Sequence, residues 1–88
     1  MPPVSPPPDP EPDVLPTFAV PYPHEIHRAA VSMRCGCERR TIGTGEVYVT
    51  IGSYGRINCW GCLVYYDWAA LEDVPEAIRA EVAATQDR

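Results

Sequence analysis

Two cysteine pairs, Cys35-Gly-Cys37 and Cys59-Trp-Gly-Cys62, stand 21 residues apart in this chain. Thiolate is a soft ligand. Two close pairs brought together supply four of them, the donor set of a closed tetrahedral site for a structural zinc ion. A glycine inside each pair, Gly36 and Gly61, can take positive φ and turn backbone N–H groups toward sulfur. Cys35, Cys37, Cys59 and Cys62 are therefore the expected ligands of one structural Zn2+. Four thiolates leave no open position for a water, so the expected chemistry is structural and not catalytic. The acids show no spacing that suggests a general acid/base pair. No catalytic residue, no enzyme activity and no small-molecule substrate is expected.

The same four residues could instead form two disulfides. Met1 is followed by prolines and acids, with no basic and apolar leader. A cytoplasmic protein is therefore expected, where thiols stay reduced and zinc is favoured over disulfides. The two histidines, His24 and His27, are spaced so that one helix face could carry both, as ligands of a second metal or as substitutes for a cysteine. With four cysteines present zinc needs neither, and surface or capping roles are expected.

Composition bounds what surrounds the site. The chain has 88 residues and can rarely bury enough apolar surface to fold alone. Metal closing a loop supplies the missing free energy, about 10–16 kcal/mol in small zinc modules. No apolar run approaches the roughly 20 residues of a membrane span, so no membrane partner is expected. Basic residues are all arginine, which with abundant alanine and proline fits a GC-rich bacterial or phage coding sequence. Net charge is −5, and phosphate contacts dominate nucleic-acid affinity, so general nucleic-acid binding is disfavoured. The charge is uneven: −3 over residues 1–23, +2 over 24–62 and −4 over 63–88. Arg34, Arg39 and Arg40 flank the first pair, and Arg56 lies on the facing strand. They form either a patch for a phosphate backbone, with Tyr48, Tyr54 and Trp60 as stacking surfaces, or local compensation for a doubly negative metal–thiolate centre.

The elements that must position the cysteines follow from local pattern. Residues 1–23 hold ten of the eleven prolines and read as an extended arm. Its apolar residues Val14, Leu15, Phe18, Val20 and Tyr22 suit either a strap for a partner or a segment folded back on the core. Residues 24–88 read as a single zinc-binding domain with its metal core over 33–66. His24 to Val31 is a short helix or an extended lead-in. Glu38–Ile42 reads as a first strand and Gly43-Thr-Gly45 as a turn. In Glu46–Ile51, Val47, Val49 and Ile51 alternate with Tyr48 and Thr50, as in a half-buried strand. Gly52-Ser-Tyr-Gly55 turns the chain back, and Arg56-Ile-Asn58 delivers the second cysteine pair. Leu63–Glu72 reads as helix. Asp73-Val-Pro-Glu76 reads as a capping box opening a second helix over about 74–85. Val74, Ile78 and Val82 make one apolar stripe along it.

The stretch Cys35-Gly-Cys37, Ile42-Gly-Thr-Gly-Glu46-Val-Tyr48-Val, Arg56, Cys59-Trp-Gly-Cys62 resembles a treble-clef zinc finger. It is similar to small zinc-binding proteins of actinobacteria and their phages, which pair cysteines around an I-x-x-G-E-x-Y hairpin, and to the plan of the PARP-type finger. The likeness covers about residues 33–66. It departs in having C-x-C where C-x-x-C is usual, and in carrying two cysteines where many relatives have a histidine and a cysteine. A redox-regulated chaperone family also combines C-x-C with a later C-x-x-C, so a redox-sensitive zinc switch is a further reading. The resemblance implies a small α+β fold: a zinc knuckle, a β-hairpin and a helix, with an N-terminal arm and a C-terminal amphipathic helix added. The expected function is that of an accessory or regulatory module that binds another macromolecule. A protein bound through Val74, Ile78, Val82 and Trp68 is expected first. Nucleic acid bound through Arg34, Arg39, Arg40 and Arg56 is the alternative.

Overall fold

The computed structural model describes residues 3 and 14–86. The extended structure expected for residues 1–13 lies, Pro3 apart, outside them. The fold is a small α+β arrangement of two antiparallel sheets and two helices. Strands β1 (His24–Arg28), β4 (Val47–Ile51) and β5 (Arg56–Asn58) form one sheet in the order β1-β4-β5. Strands β2 (Met33–Arg34) and β3 (Thr41–Ile42) form a separate two-stranded ribbon. Helix α1 spans Trp60–Tyr65, a short 3-10 turn spans Leu71–Asp73, and helix α2 spans Glu76–Gln86.

The alternation in β4 sets the core. Val47 and Val49 are buried and face one side, while Tyr48 and Thr50 face the other. Val47, Val49, Trp60, Leu63, Val74 and Val82 form the main cluster. A second cluster joins Ala29, Ile42, Cys35, Cys59 and Cys62, with Tyr48 and Ile57 packed against it. β4 therefore contributes to both, and the tie between the sheet and the cysteines is built into its two-residue period. The Trp60 indole N–H is buried without a hydrogen-bond partner among the described residues.

Of the two readings for His24 to Val31, the extended one holds over His24–Arg28, a strand paired with β4 from His24↔Ile51 to Arg28↔Val47. Other expectations are corrected. Residues 38–40 are not strand, and β3 pairs with β2 and not with the hairpin. The first helix starts earlier and stops sooner than Leu63–Glu72. Asp67 takes φ 59°, and the Trp68 and Asp67 N–H groups bond the Leu63 and Val64 carbonyls at 2.8 and 3.1 Å. That is a Schellman end with aspartate in the left-handed position usually held by glycine. Asp73 is not the N-cap of α2. It lies in the 3-10 turn, and Val74 is extended at φ −71°, ψ 134°, as a residue before proline must be. The helix begins only after Pro75.

The stripe on α2 is not a free face. Val74 and Val82 are 1% and 0% exposed, and Ile78 and Trp68 are half-buried against the same cluster. The arm joins the same cluster. Leu15, Phe18 and Val20 pack on the main cluster, with Phe18 edge-on to Trp60 at 5.3 Å and Tyr22 edge-on to Trp68 at 6.4 Å. Of the expected partner surface, Val74 and Val82 are therefore taken up by intramolecular burial, while Ile78 and Trp68 keep part of their surface.

Candidate metal centre

The first cysteine pair sits on a tight turn closed from three directions. The Cys35 N–H bonds the Arg40 carbonyl at 3.1 Å, the Glu38 N–H bonds the Cys35 carbonyl at 2.9 Å, and the Gly36 N–H bonds the Ile57 carbonyl at 2.9 Å. The left-handed residue is Glu38, at φ 61°; Gly36 and Gly61 are not at positive φ. Gly36 is required for a different reason. A Cβ there would stand 2.8 Å from the Ile57 carbonyl oxygen, so only glycine lets the turn lie against β5. Gly61 lies close beneath α2, where a Cβ would meet Thr85 Cγ2 at 3.4 Å and Cys59 Sγ at 3.5 Å.

The second pair enters from β5. Cys59 precedes α1, and Cys62 lies within it. The Cys59 N–H donates to Cys35 Sγ at 3.3 Å, which stitches the two pairs together. Cys35 and Cys62 sulfurs are 3.4 Å apart, and Cys37 and Cys35 sulfurs 3.3 Å. All four Sγ atoms lie within 4.8 Å of one another. The sulfurs of a tetrahedral site with metal–sulfur bonds of about 2.3 Å stand about 3.8 Å apart. The cluster therefore fits a metal ion in both donor type and size. No disulfide joins the cysteines; Cys35, Cys59 and Cys62 are buried and Cys37 is half-buried.

Cys59 and Cys62 are shifted in opposite directions. Hydrogen bonding from Cys35, and then from Cys62, lowers the Cys59 pKa to about 3. Contact with Cys35 and Cys59 pushes the Cys62 thiol up. The two shifts have one origin. A thiolate at Cys59 is stabilised by neighbouring S–H donors, and a second thiolate beside it is repelled. A divalent cation among the sulfurs cancels that repulsion and allows all four to ionise.

The remaining candidates fall elsewhere. His24 Nδ1 lies 2.8 Å from the Tyr22 carbonyl oxygen. His27 stacks on Tyr48 at 5.2 Å, with Nε2 at 3.1 Å from Thr50 Oγ1. Neither belongs to the sulfur cluster. Arg34, Arg39 and Arg56 are exposed around the first pair, with the Arg56 side chain lying over Gly36. Arg40 is corrected out of this patch. Its side chain is 1% exposed, and Nη1 donates to Glu46 Oε2 at 2.8 Å. Sequence reasoning missed this pair, although the Gly45-Glu46 motif carried half of it. Each other residue of that motif also has a place: Ile42 is buried beside the cysteines, Gly45 takes φ 86°, and Tyr48 supports His27.

An aromatic face is left on the outside. Tyr66 stacks on Trp68 at 4.8 Å and meets Tyr65 edge-on at 5.1 Å, and Tyr65 and Tyr66 are exposed. With Arg39, Cys37, Thr85 and Gln86, these two tyrosines line a shallow groove of about 180 Å³. No helix among the described residues is long and apolar enough to cross a membrane. Comparison with protein-family models, with curated proteins and with solved structures finds no match for this chain.

Proposed function

We propose that Cys35, Cys37, Cys59 and Cys62 hold one structural zinc ion in a treble-clef-like finger, and that the protein is a non-catalytic module binding another protein. The convergence of four sulfurs within 4.8 Å carries the reading. Zinc is the best fit to an all-thiolate tetrahedral donor set in a small domain, and such a set leaves no position for substrate. The order of elements supports the finger type: a turn with one cysteine pair, the β4–β5 hairpin, then α1 opening on the second pair. With Val74 and Val82 buried, the partner surface moves to Tyr65 and Tyr66, with the exposed Tyr22 meeting the same Trp68 that Tyr66 stacks on. Exposed tyrosines beside a rigid zinc site are an amphipathic contact surface of the kind enriched at protein interfaces. Removing Arg40 from the basic patch weakens the nucleic-acid alternative, which retains Arg34, Arg39 and Arg56.

The metal reading is tested on purified protein. One zinc per chain is expected, with loss of dispersed amide NMR signals on chelation or in Cys59→Ser, since folding and metal binding are one equilibrium in such modules. A folded, metal-free chain would refute it. Partner class is tested on whatever the protein retains. Tyr65→Ala with Tyr66→Ala should abolish retention with little salt dependence. Loss instead with Arg34→Ala, Arg39→Ala and Arg56→Ala, and a steep fall of affinity with salt, would transfer the function to nucleic acid.

A further inference from the structure

Arg40 is the most unusual side chain in the molecule. It is almost wholly buried, yet only one of its nitrogens is well partnered. Nη1 donates to Glu46 Oε2 at 2.8 Å, Nε lies 3.7 Å from Glu81 Oε1, and Nε and Nη2 make no hydrogen bond among the described residues. A buried guanidinium with idle donors is costly, because burial removes water from a full charge and from each N–H. Glu81 is largely exposed and cannot repay that cost alone.

A second source of negative charge lies alongside. Arg40 follows Cys37 by three residues, and its carbonyl already closes the turn onto Cys35. Its Cδ stands 3.8 Å from where a Cβ on Gly61 would lie, between Cys59 and Cys62. An arginine guanidinium keeps its proton at any ordinary pH. The guanidinium thus stays charged inside the fold, next to the loop that carries two of the four sulfurs.

We infer that Arg40 is a positioning residue of the metal centre: its buried charge stabilises the ionised four-thiolate form, its hydrogen bond ties that centre to Glu46 before β4, and its charge faces Glu81 on α2. The inference rests on the proposed metal site. A divalent ion with four thiolates carries a charge of −2, and a cation held at fixed distance in a poorly solvated place offsets it more strongly than the exposed Arg34, Arg39 or Arg56 can. Its place in the turn also explains why one arginine of an apparently basic run is buried while its neighbour Arg39 is not.

The test measures zinc affinity by chelator competition, together with the pH at which zinc is released. Both are read on the full chain, and cobalt substitution reports the thiolate charge-transfer bands. Arg40→Met removes the charge at similar length. It should weaken zinc about tenfold or more, in line with loss of an outer-shell partner, and move release to higher pH. Arg40→Lys keeps the charge and should stay within about threefold of the wild type, with unchanged cobalt bands. Val82→Ala lowers stability without touching the charge, and the shift of release pH that it causes through coupled folding should be smaller than that of Arg40→Met. Wild-type affinity in Arg40→Met, or a shift of release pH in Val82→Ala as large as in Arg40→Met, overturns the inference. If Arg40→Met does not fold with zinc in excess, Arg40→Lys decides: retention within threefold supports the role and a greater loss overturns it. Absence of zinc from the wild type itself would defeat the metal reading, and the same titration shows it separately.

Discussion

Phe18→Ala tests whether the arm is part of the folded core. Phe18 is half-buried on the main cluster and meets Trp60 edge-on at 5.3 Å. Truncating a fully buried phenylalanine costs about 3–5 kcal/mol, cavity included. Half of that, with an edge-to-face contact worth about 0.5–1.5 kcal/mol already partly counted in it, gives a loss of about 2 kcal/mol. A domain of this size loses roughly 4–8 °C in Tm per kcal/mol, so the midpoint should fall by roughly 8–16 °C. The assay is thermal unfolding followed by circular dichroism at fixed zinc concentration, because free metal shifts the apparent midpoint by mass action. Amide exchange over residues 14–23 should accelerate in the same variant. Zinc content should stay at one per chain, since Phe18 touches Trp60 and none of the sulfurs. A midpoint shift below about 2 °C would mean that the arm lies on the surface without contributing to stability, and would refute the argument that it is part of the main cluster.

Two further outcomes follow from the geometry of the sulfur cluster. Gly36→Ala should destabilise the protein by about 1–3 kcal/mol and weaken metal retention, because its Cβ would stand 2.8 Å from a backbone oxygen that cannot move away without disturbing β5; denaturant unfolding measures it, and a neutral effect would show that the turn is not held against the strand. Acidification should release the metal and destabilise the fold together. The Cys59 pKa is lowered to about 3 in the fold, so its contribution is present above the unfolded thiol value and is lost as pH falls toward about 3, and metal binding acts in the same direction. Parallel zinc analysis and circular dichroism across pH check this, and zinc retained at about pH 3 would contradict it.

What the sequence made legible was whatever depends on spacing along one segment. Two thiol pairs implied one cluster, the alternation of Val47, Val49 and Ile51 implied a strand with a buried face, and four residues from Gly52 to Gly55 implied its turn. What it hid depends on which segments meet. Nothing local distinguishes Arg40 from Arg39; only the fold brings Glu46 and Glu81 to the one and solvent to the other. Amphipathicity shows that α2 must bury an apolar stripe, but not that it does so against α1, in one cluster with β4 and the arm. Glycine in each cysteine pair suggested special φ, whereas Gly36 serves close approach and Glu38 takes the left-handed turn.

These misses share a cause with the way the molecule is held together. The C-terminal half of α2 rests on the second cysteine loop: Gln86 Nε2 donates to the Gly61 carbonyl, Thr85 lies over Gly61, and Glu81 faces Arg40. Its buried Val82 packs with Trp60, which sits inside the cysteine pair itself. Trp60 in turn receives Phe18 from the arm. A reading that separates arm, metal core and terminal helix therefore cuts through contacts that stabilise one another. On the proposed metal reading, loss of the metal would free Gly61 and Arg40 and weaken the support for α2, and loss of the α2 packing would remove the wall behind Trp60 and the second cysteine pair. Metal binding and apolar packing are thus coupled through Trp60, Gly61 and Arg40, which lie within three residues of a cysteine in sequence and join elements that sequence alone keeps apart.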